Sequence, residues 1–285
     1  MKIPNSTEIK ENQNSEENIR LQCAAGYYYN AAERLNFLCW LICGLSAIFV
    51  FWSESMPAVI LMVILDTVFF IVGIVIKYNT KCAADLRELF DSRVLFGNNG
   101  DFNETEVRYI REKAISITKR HKKNYEKISV SDGKGKPPGK KDWYVFSYDL
   151  DALYAQLECQ SQNRWWNGKM ISMRRCILCC IACITVVVGI LLFVNLSLPK
   201  TGLINAVAIL FWRLIERIKL HIKYYNTSIS IDTMYKSASE NLTVENIIAL
   251  QKYIDKRRHL AVFEMNVVHK IFAAKWTELY EEISK

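Results

Sequence analysis

The chain has 285 residues, a hydrophobic fraction of 51% and a formal net charge of +8, a length that suits one or two domains. Its charge falls into blocks separated by uncharged runs, as a bilayer demands, because a charged side chain at the membrane centre costs about 2.5–3.5 kcal/mol on insertion scales. That distribution argues against a soluble enzyme, and it explains the excess of Lys and Arg without a nucleic-acid polymer.

The N-terminus carries Glu8, Glu11, Glu16 and Glu17 and lacks the basic start of a signal peptide, so the first span is expected to stay uncleaved. Residues 15–34 are predicted to form an amphipathic helix. Asn14 or Ser15 caps it, Glu16 and Glu17 favour its N-terminal dipole, and Leu21 to Tyr28 supply apolar contacts. This helix is expected to run straight into a first span from Phe37 to Trp52, anchored by Trp40 and Trp52. A short turn ending at Pro57 leads to a second span, Ala58 to Ile76, which contains Asp66. Its fifteen large apolar residues contribute roughly −4 to −9 kcal/mol, enough to insert one Asp.

The central region begins at Lys77. Asn98-Asn99-Gly100-Asp101 marks a break, and Thr105 to Lys127 is compatible with a charged helix. Ser131 to Lys141 is a flexible basic loop; its glycine spacing is wrong for a phosphate-binding loop, and no Ser or Thr follows the lysine. Trp143 to Tyr148 alternates like a short strand, and Leu150 to Trp166 resumes helical spacing.

Arg174-Arg175 introduce a third apolar run, Cys176 to Leu198. Pro199-Lys200-Thr201-Gly202 makes the turn, and a fourth span from Leu203 is expected to end near Leu214. There Arg213, Glu216 and Arg217 share one helix face and Arg213 is expected to snorkel to the interface. The C-terminal region opens with polar Asn226 to Ser239. Thr243 then caps a helix holding Ile247, Leu250 and Ile254, and Leu260 to Ile283 continues with a mixed face.

The segment Lys77 to Arg175 holds twenty Lys and Arg, against Lys200 alone in the two hairpin turns. The positive-inside rule then places the central loop and both termini in the cytoplasm. The expected fold is an all-α membrane protein. Residues 1–34 form an N-terminal cytoplasmic helix, and 35–76 and 176–214 form two transmembrane hairpins. The mainly helical cytoplasmic portion is built from the basic central region 77–175 and the C-terminal region 215–285.

Few residues point to catalysis. The four His are scattered, and there is no nucleophile elbow and no His-Glu zinc motif. Asp149 and Asp151 could hold magnesium, but a solvated helix start explains them better. Cys176, Cys179, Cys180 and Cys183 lie on one helix face, which suits a helix–helix contact better than a tetrahedral metal site. All nine Cys are expected as free thiols, with no metal and no cofactor. Asp66 stands apart, because ionisable residues inside spans face a partner or a water-filled path. With Gly73 two turns along the same face, it is the candidate pore-lining or gating residue. Asn195 and Asn205 suit ordinary interfacial polar roles.

Three segments carry a resemblance: Asn18 to Ala32, Leu157 to Trp166 and Leu250 to Arg258. In this order, on a hairpin–loop–hairpin plan, they resemble the SMODS-associating four-transmembrane effector family of bacterial antiphage systems, although the segment after Arg258 lacks a proline-bearing turn. The resemblance implies a pore-forming effector of the bacterial inner membrane, acting in abortive infection as a homo-oligomer. It also implies gating by a cyclic oligonucleotide, made by a functionally linked nucleotidyltransferase. Such a ligand needs cations for its phosphates and flat surfaces for its bases. Lys140, Lys141, Trp143, Tyr144, Arg164 and Trp165 offer both. The alternatives are a constitutive channel or transporter subunit and, less favoured, a membrane-anchored phosphotransferase.

Overall fold

The computed structural model describes residues 3–49, 55–132, 135, 139–194 and 200–262, with 272, 275–276, 278–280 and 282–283 beyond them. Eight helices carry the named elements: α1 (Ser6–Gln13), α2 (Glu16–Phe49), α3 (Met56–Phe96), α4 (Glu104–Arg120), α5 (Lys122–Ile128), α6 (Ala152–Val194), α7 (Lys200–Glu240) and α8 (Val244–Arg258). Strands are absent among the described residues.

Local chemistry sets the helix ends. Asn5 and Glu8 form a reciprocal capping box on α1, and Asn103 and Glu106 do the same on α4. Ser15 Oγ accepts the Asn18 amide at the start of α2, as the capping pattern there predicts. Pro57 occupies the first turn of α3, where its missing N–H costs nothing. Gly97 ends α3 in the left-handed region at φ 64°, a conformation glycine adopts without a Cβ penalty. Thr243 caps α8 through the Asn246 amide, also as expected.

Four helices are far longer than a bilayer requires. With 34 to 43 residues each, α2, α3, α6 and α7 extend about 50–65 Å, against ~30 Å of hydrocarbon. Each runs without interruption from an apolar stretch into a polar helical body. Three of them, α2, α3 and α6, are long and apolar enough to cross a membrane. The apolar stretch of α7 is cut short by Arg213, Glu216 and Arg217.

Two cores reflect this division. The apolar core joins Cys39, Ile42 and Cys43 of α2 to Met62, Phe69 and Val72 of α3 and to Ala206, Ile209 and Leu210 of α7. Around it Phe37, Ile60, Ile74, Ile184 and Leu191 stand exposed, an apolar belt far beyond what a soluble surface carries. The apolar part of α6 is only 11% buried, the least of the three candidate spans. The second core lies in the helical body. It joins Leu21, Ala24 and Ala25 of α2, Leu86, Leu89 and Phe90 of α3, Ile110 of α4, Cys159 of α6 and Leu250 of α8.

Several expectations need correction. The helix α1 precedes the amphipathic helix and was not anticipated. The charged helix over Thr105 to Lys127 is two helices with a break at His121, whose backbone leaves helical geometry at ψ 33°. The polar stretch Asn226 to Ser239 belongs to α7 rather than opening a new region. Residues 143–148 form no strand. The backbone of Tyr144 is instead bracketed by the Gln13 side chain, which accepts from its N–H at 2.7 Å and donates to its carbonyl at 3.1 Å. A side chain thus takes the hydrogen bonds that a neighbouring strand would have made. The segment Leu260 to Ile283 lies largely outside the described residues.

Candidate functional site

The charged residues of the spans gather at two levels. Near the middle of the second apolar run, Asp66 on α3 meets Asn205 on α7, whose Nδ2 donates to Asp66 Oδ2 at 2.9 Å. The other carboxylate oxygen is buried without a hydrogen-bond partner. In an apolar setting one amide donor leaves a carboxylate under-satisfied. Asn205 is therefore the partner of Asp66, not an ordinary interfacial amide. Of the face expected to accompany Asp66, Met62 and Phe69 are buried whereas Phe70 is 58% exposed. A Cβ on Gly73 would meet nothing within 4 Å, so its small size serves no contact within one chain.

Toward the helical body, Arg213 is 3% exposed. It pairs with Glu216 at 2.6 Å, donates to Asn36 Oδ1, and lies 5.7 Å from the Trp40 ring centroid and 5.8 Å from that of Phe69. The expected pairing with Glu216 along the helix is present, but the expected snorkelling is not. A polar niche built by α2, α3 and α7 holds the cation inside. Arg217 is likewise buried and donates to the Ala261 carbonyl at 2.7 Å.

The six residues expected to meet an anionic ligand fall into separate clusters. Lys140 and Trp143 come together on the segment after α5, with Lys140 Nζ 5.0 Å from the indole centroid. Arg87 of α3, which the sequence did not single out, lies 4.2 Å from the same ring. Neither cation has a carboxylate partner among the described residues. Burial, followed by the Arg87 charge, pulls the Lys140 ammonium down to about 8; burial and the neighbouring Arg258 pull Arg87 down to about 10. Lys141 is half-buried beside them and its amide donates to the Ser131 carbonyl at 3.1 Å.

Tyr144 is not a ligand surface. It is 1% exposed, its hydroxyl donates to Asp91 at 2.9 Å, and Asn163 donates to that hydroxyl at 3.1 Å. Its apolar ring and satisfied hydroxyl make it core. Arg164 pairs with Asp232 at 3.3 Å and stacks 4.2 Å from the Tyr235 centroid. Trp165 packs edge-on against Trp166 and against the C-terminal Tyr280, with Lys169 Nζ 5.4 Å from its ring centroid. All four cysteines of the 176–183 cluster are exposed; the helix–helix contact expected for them is not made within one chain.

Two features of the body were missed in the sequence. The first is Asp91, which is fully buried. It accepts from Tyr144, from Gln251 at 3.0 Å and from Arg258 at 2.6 Å. It thereby ties α3 to α8 and, through Asn163, to α6. The segments that carried the resemblance converge here: Tyr29 donates to the Arg258 carbonyl at 3.2 Å and Gln160 to the Gln251 side-chain oxygen at 3.3 Å. The second is a cleft of about 410 Å³ between α7 and α8, lined by Lys219, Lys223, Lys256, Tyr253 and small polar residues, without a carboxylate. Lysines at i and i+4 on a long helix were the available signal.

The family model of the SMODS-associating 4TM effector domain matches residues 7–212. No curated protein and no solved structure matches the chain. The match spans α1 to the end of the apolar part of α7, covering the apolar stretches of α2, α3, α6 and α7 and the helices between them, while α8 lies beyond it. The chain belongs to the SMODS-associating 4TM effector family and is a membrane effector of SMODS-associated defence.

Proposed function

We propose that the protein is a ligand-gated, pore-forming effector, held in the bacterial inner membrane by two hairpins with the helical body and both termini in the cytoplasm. One observation carries this reading. The helices α2, α3, α6 and α7 pass without a break from the apolar stretches into the body. A rearrangement in the body therefore tilts or turns the spans as rods, and a ligand shifts that balance by its differential affinity for the two states.

The ligand is a cyclic oligonucleotide from the nucleotidyltransferase to which the family name points. Arg87 and Lys140, neither in an ion pair among the described residues, lie over Trp143 and supply charge and an aromatic plane. The lysine cleft between α7 and α8 is the competing position. Several copies assemble around the path; the thinly covered apolar face of α6 supports this. In the assembly a ring of Asp66 side chains borders water and favours cations.

Binding of a panel of cyclic di- and trinucleotides to the purified, detergent-solubilised protein tests the reading. One member should bind, and Arg87→Gln/Lys140→Gln should weaken it more than Lys223→Gln/Lys256→Gln. If no member binds, the gating ligand is excluded and flux without ligand would favour a constitutive channel. A reporter at Gly135 should give a cytoplasmic signal; a periplasmic one would overturn the orientation.

A further inference from the structure

A third basic site lies where the apolar run of α6 meets its polar part. At the end of the apolar run of α6, Arg174 and Arg175 directly precede Cys176. Helix α7 lies alongside, held by Asn167 to Ser228 at 3.4 Å and Arg164 to Asp232 at 3.3 Å. Between the two helices is a groove of about 200 Å³, with Ile171, Leu178, Ile218 and Ile222 as its apolar walls and both arginines, His221 and Tyr224 completing its lining. Its lining contains no carboxylate.

Neither arginine has an ion pair among the described residues. Arg174 lies 4.9 Å from the Tyr224 ring centroid and Arg175 lies 4.0 Å from that of Tyr225. The Tyr224 hydroxyl donates to Asn167 and also engages the Arg174 guanidinium. Nε and Nη1 of Arg174 are buried without a hydrogen-bond partner, a cost that an anionic oxygen would relieve. Beside the groove Ile215, Ile222 and Tyr225 remain exposed on α7, so its apolar flank continues past the buried Arg213 to this level. Aromatic rings and arginines beside apolar surface are the chemistry of a headgroup zone.

We infer that this groove binds an anionic phospholipid of the leaflet next to the helical body, its phosphate on Arg174 and Arg175 and its glycerol and upper acyl chain against the four apolar walls. A free nucleotide or inorganic phosphate would satisfy the arginines and leave the walls in water. A lipid satisfies both. The inference goes beyond the proposed gating and does not depend on it.

The test is lipid retention by the full-length purified protein, titrated with phosphatidylglycerol, cardiolipin or phosphatidylcholine and read by native mass spectrometry. The anionic lipids should be retained at least tenfold over phosphatidylcholine. Arg174→Gln/Arg175→Gln should abolish that preference. Ile218→Phe, which fills the groove without touching charge, should reduce retention several-fold. Lys122→Gln/Lys123→Gln, which removes two exposed cations of α5, should leave retention unchanged. Equal retention of phosphatidylcholine, or an equal loss in the lysine variant, would overturn the inference. So would displacement of the lipid by inorganic phosphate, or a lipid-free dimer closed across this face. Should the arginine variant fail to accumulate, undiminished retention by Ile218→Phe would itself overturn it.

Discussion

Two carboxylates on the same helix, the half-buried Asp66 and the fully buried Asp91, mark the two halves of this molecule, about 38 Å apart along α3. Asp91 accepts from a phenol, an amide and a guanidinium, and both its oxygens are used. Asp66 has the Asn205 amide on one oxygen and nothing on the other. A saturated group fixes one arrangement, because any departure exposes several unpaired partners at once. An under-satisfied group gains from a new donor or from water. The body is thus built to hold its shape, and the apolar bundle is built to exchange partners.

The largest effect falls on the saturated centre. Asp91→Ala leaves the Arg258 cation buried beside Asp255 alone and should destabilise the body by about 3–5 kcal/mol, the cost of breaking a buried pair by removing one partner. Asp91→Asn, which still accepts hydrogen bonds, should lose less. Thermal unfolding of the purified variants, followed by helical ellipticity, measures this. An unchanged midpoint for Asp91→Ala would remove Asp91 as the junction.

A smaller effect concerns Lys140. Burial and Arg87 lower Lys140 to about 8, so its charge disappears as pH rises through that value rather than above 10. Ligand held by Lys140 should therefore bind about tenfold more weakly at pH 9 than at pH 7, the worth of one charge-assisted hydrogen bond. Lys140→Arg, charged throughout, should abolish the drop. Titration calorimetry at the two pH values decides; the same fall in Lys140→Arg would place the titrating group elsewhere. Smallest of all, Arg164→Gln removes an ion pair whose side chains are 37% and 53% exposed and should change stability by less than 1 kcal/mol. A loss of several kcal/mol would mean that the surface of the body is as tightly built as its centre.

Helices, caps and the apolar runs were legible because they are written in local spacing. Ser15 and Thr243 each accept from the amide three residues on, and Phe37 to Trp52 is apolar without reference to anything distant. Asp91 was not legible. Its donors come from residues 53, 160 and 167 positions away along the chain, and in sequence it is one acid in a charged helix. Tyr144 misled for the same reason: beside lysines it looks like a binding surface, yet Asp91 and Gln13 bury it. Asp66 was singled out correctly as a costly charge, but its partner Asn205 was passed over, since nothing local tells an interfacial amide from a paired one. Arg213 was placed at the interface because a short span should let it escape; the niche of Asn36, Trp40, Phe69 and Glu216 comes from three separate helices.

The central claim, that Asp66 lies on a path opened by events in the body, is tested by ion flux from liposomes carrying the purified protein with a bound cyclic nucleotide. Asp66→Leu should insert at least as well as the natural chain, since it removes the one costly residue of its span, and should bind the nucleotide unchanged. Its flux should nevertheless be abolished or strongly reduced, with Asp66→Asn intermediate. Asp66→Leu vesicles that leak as fast as the natural protein, at equal insertion, would contradict the account and leave Asp66 a packing residue.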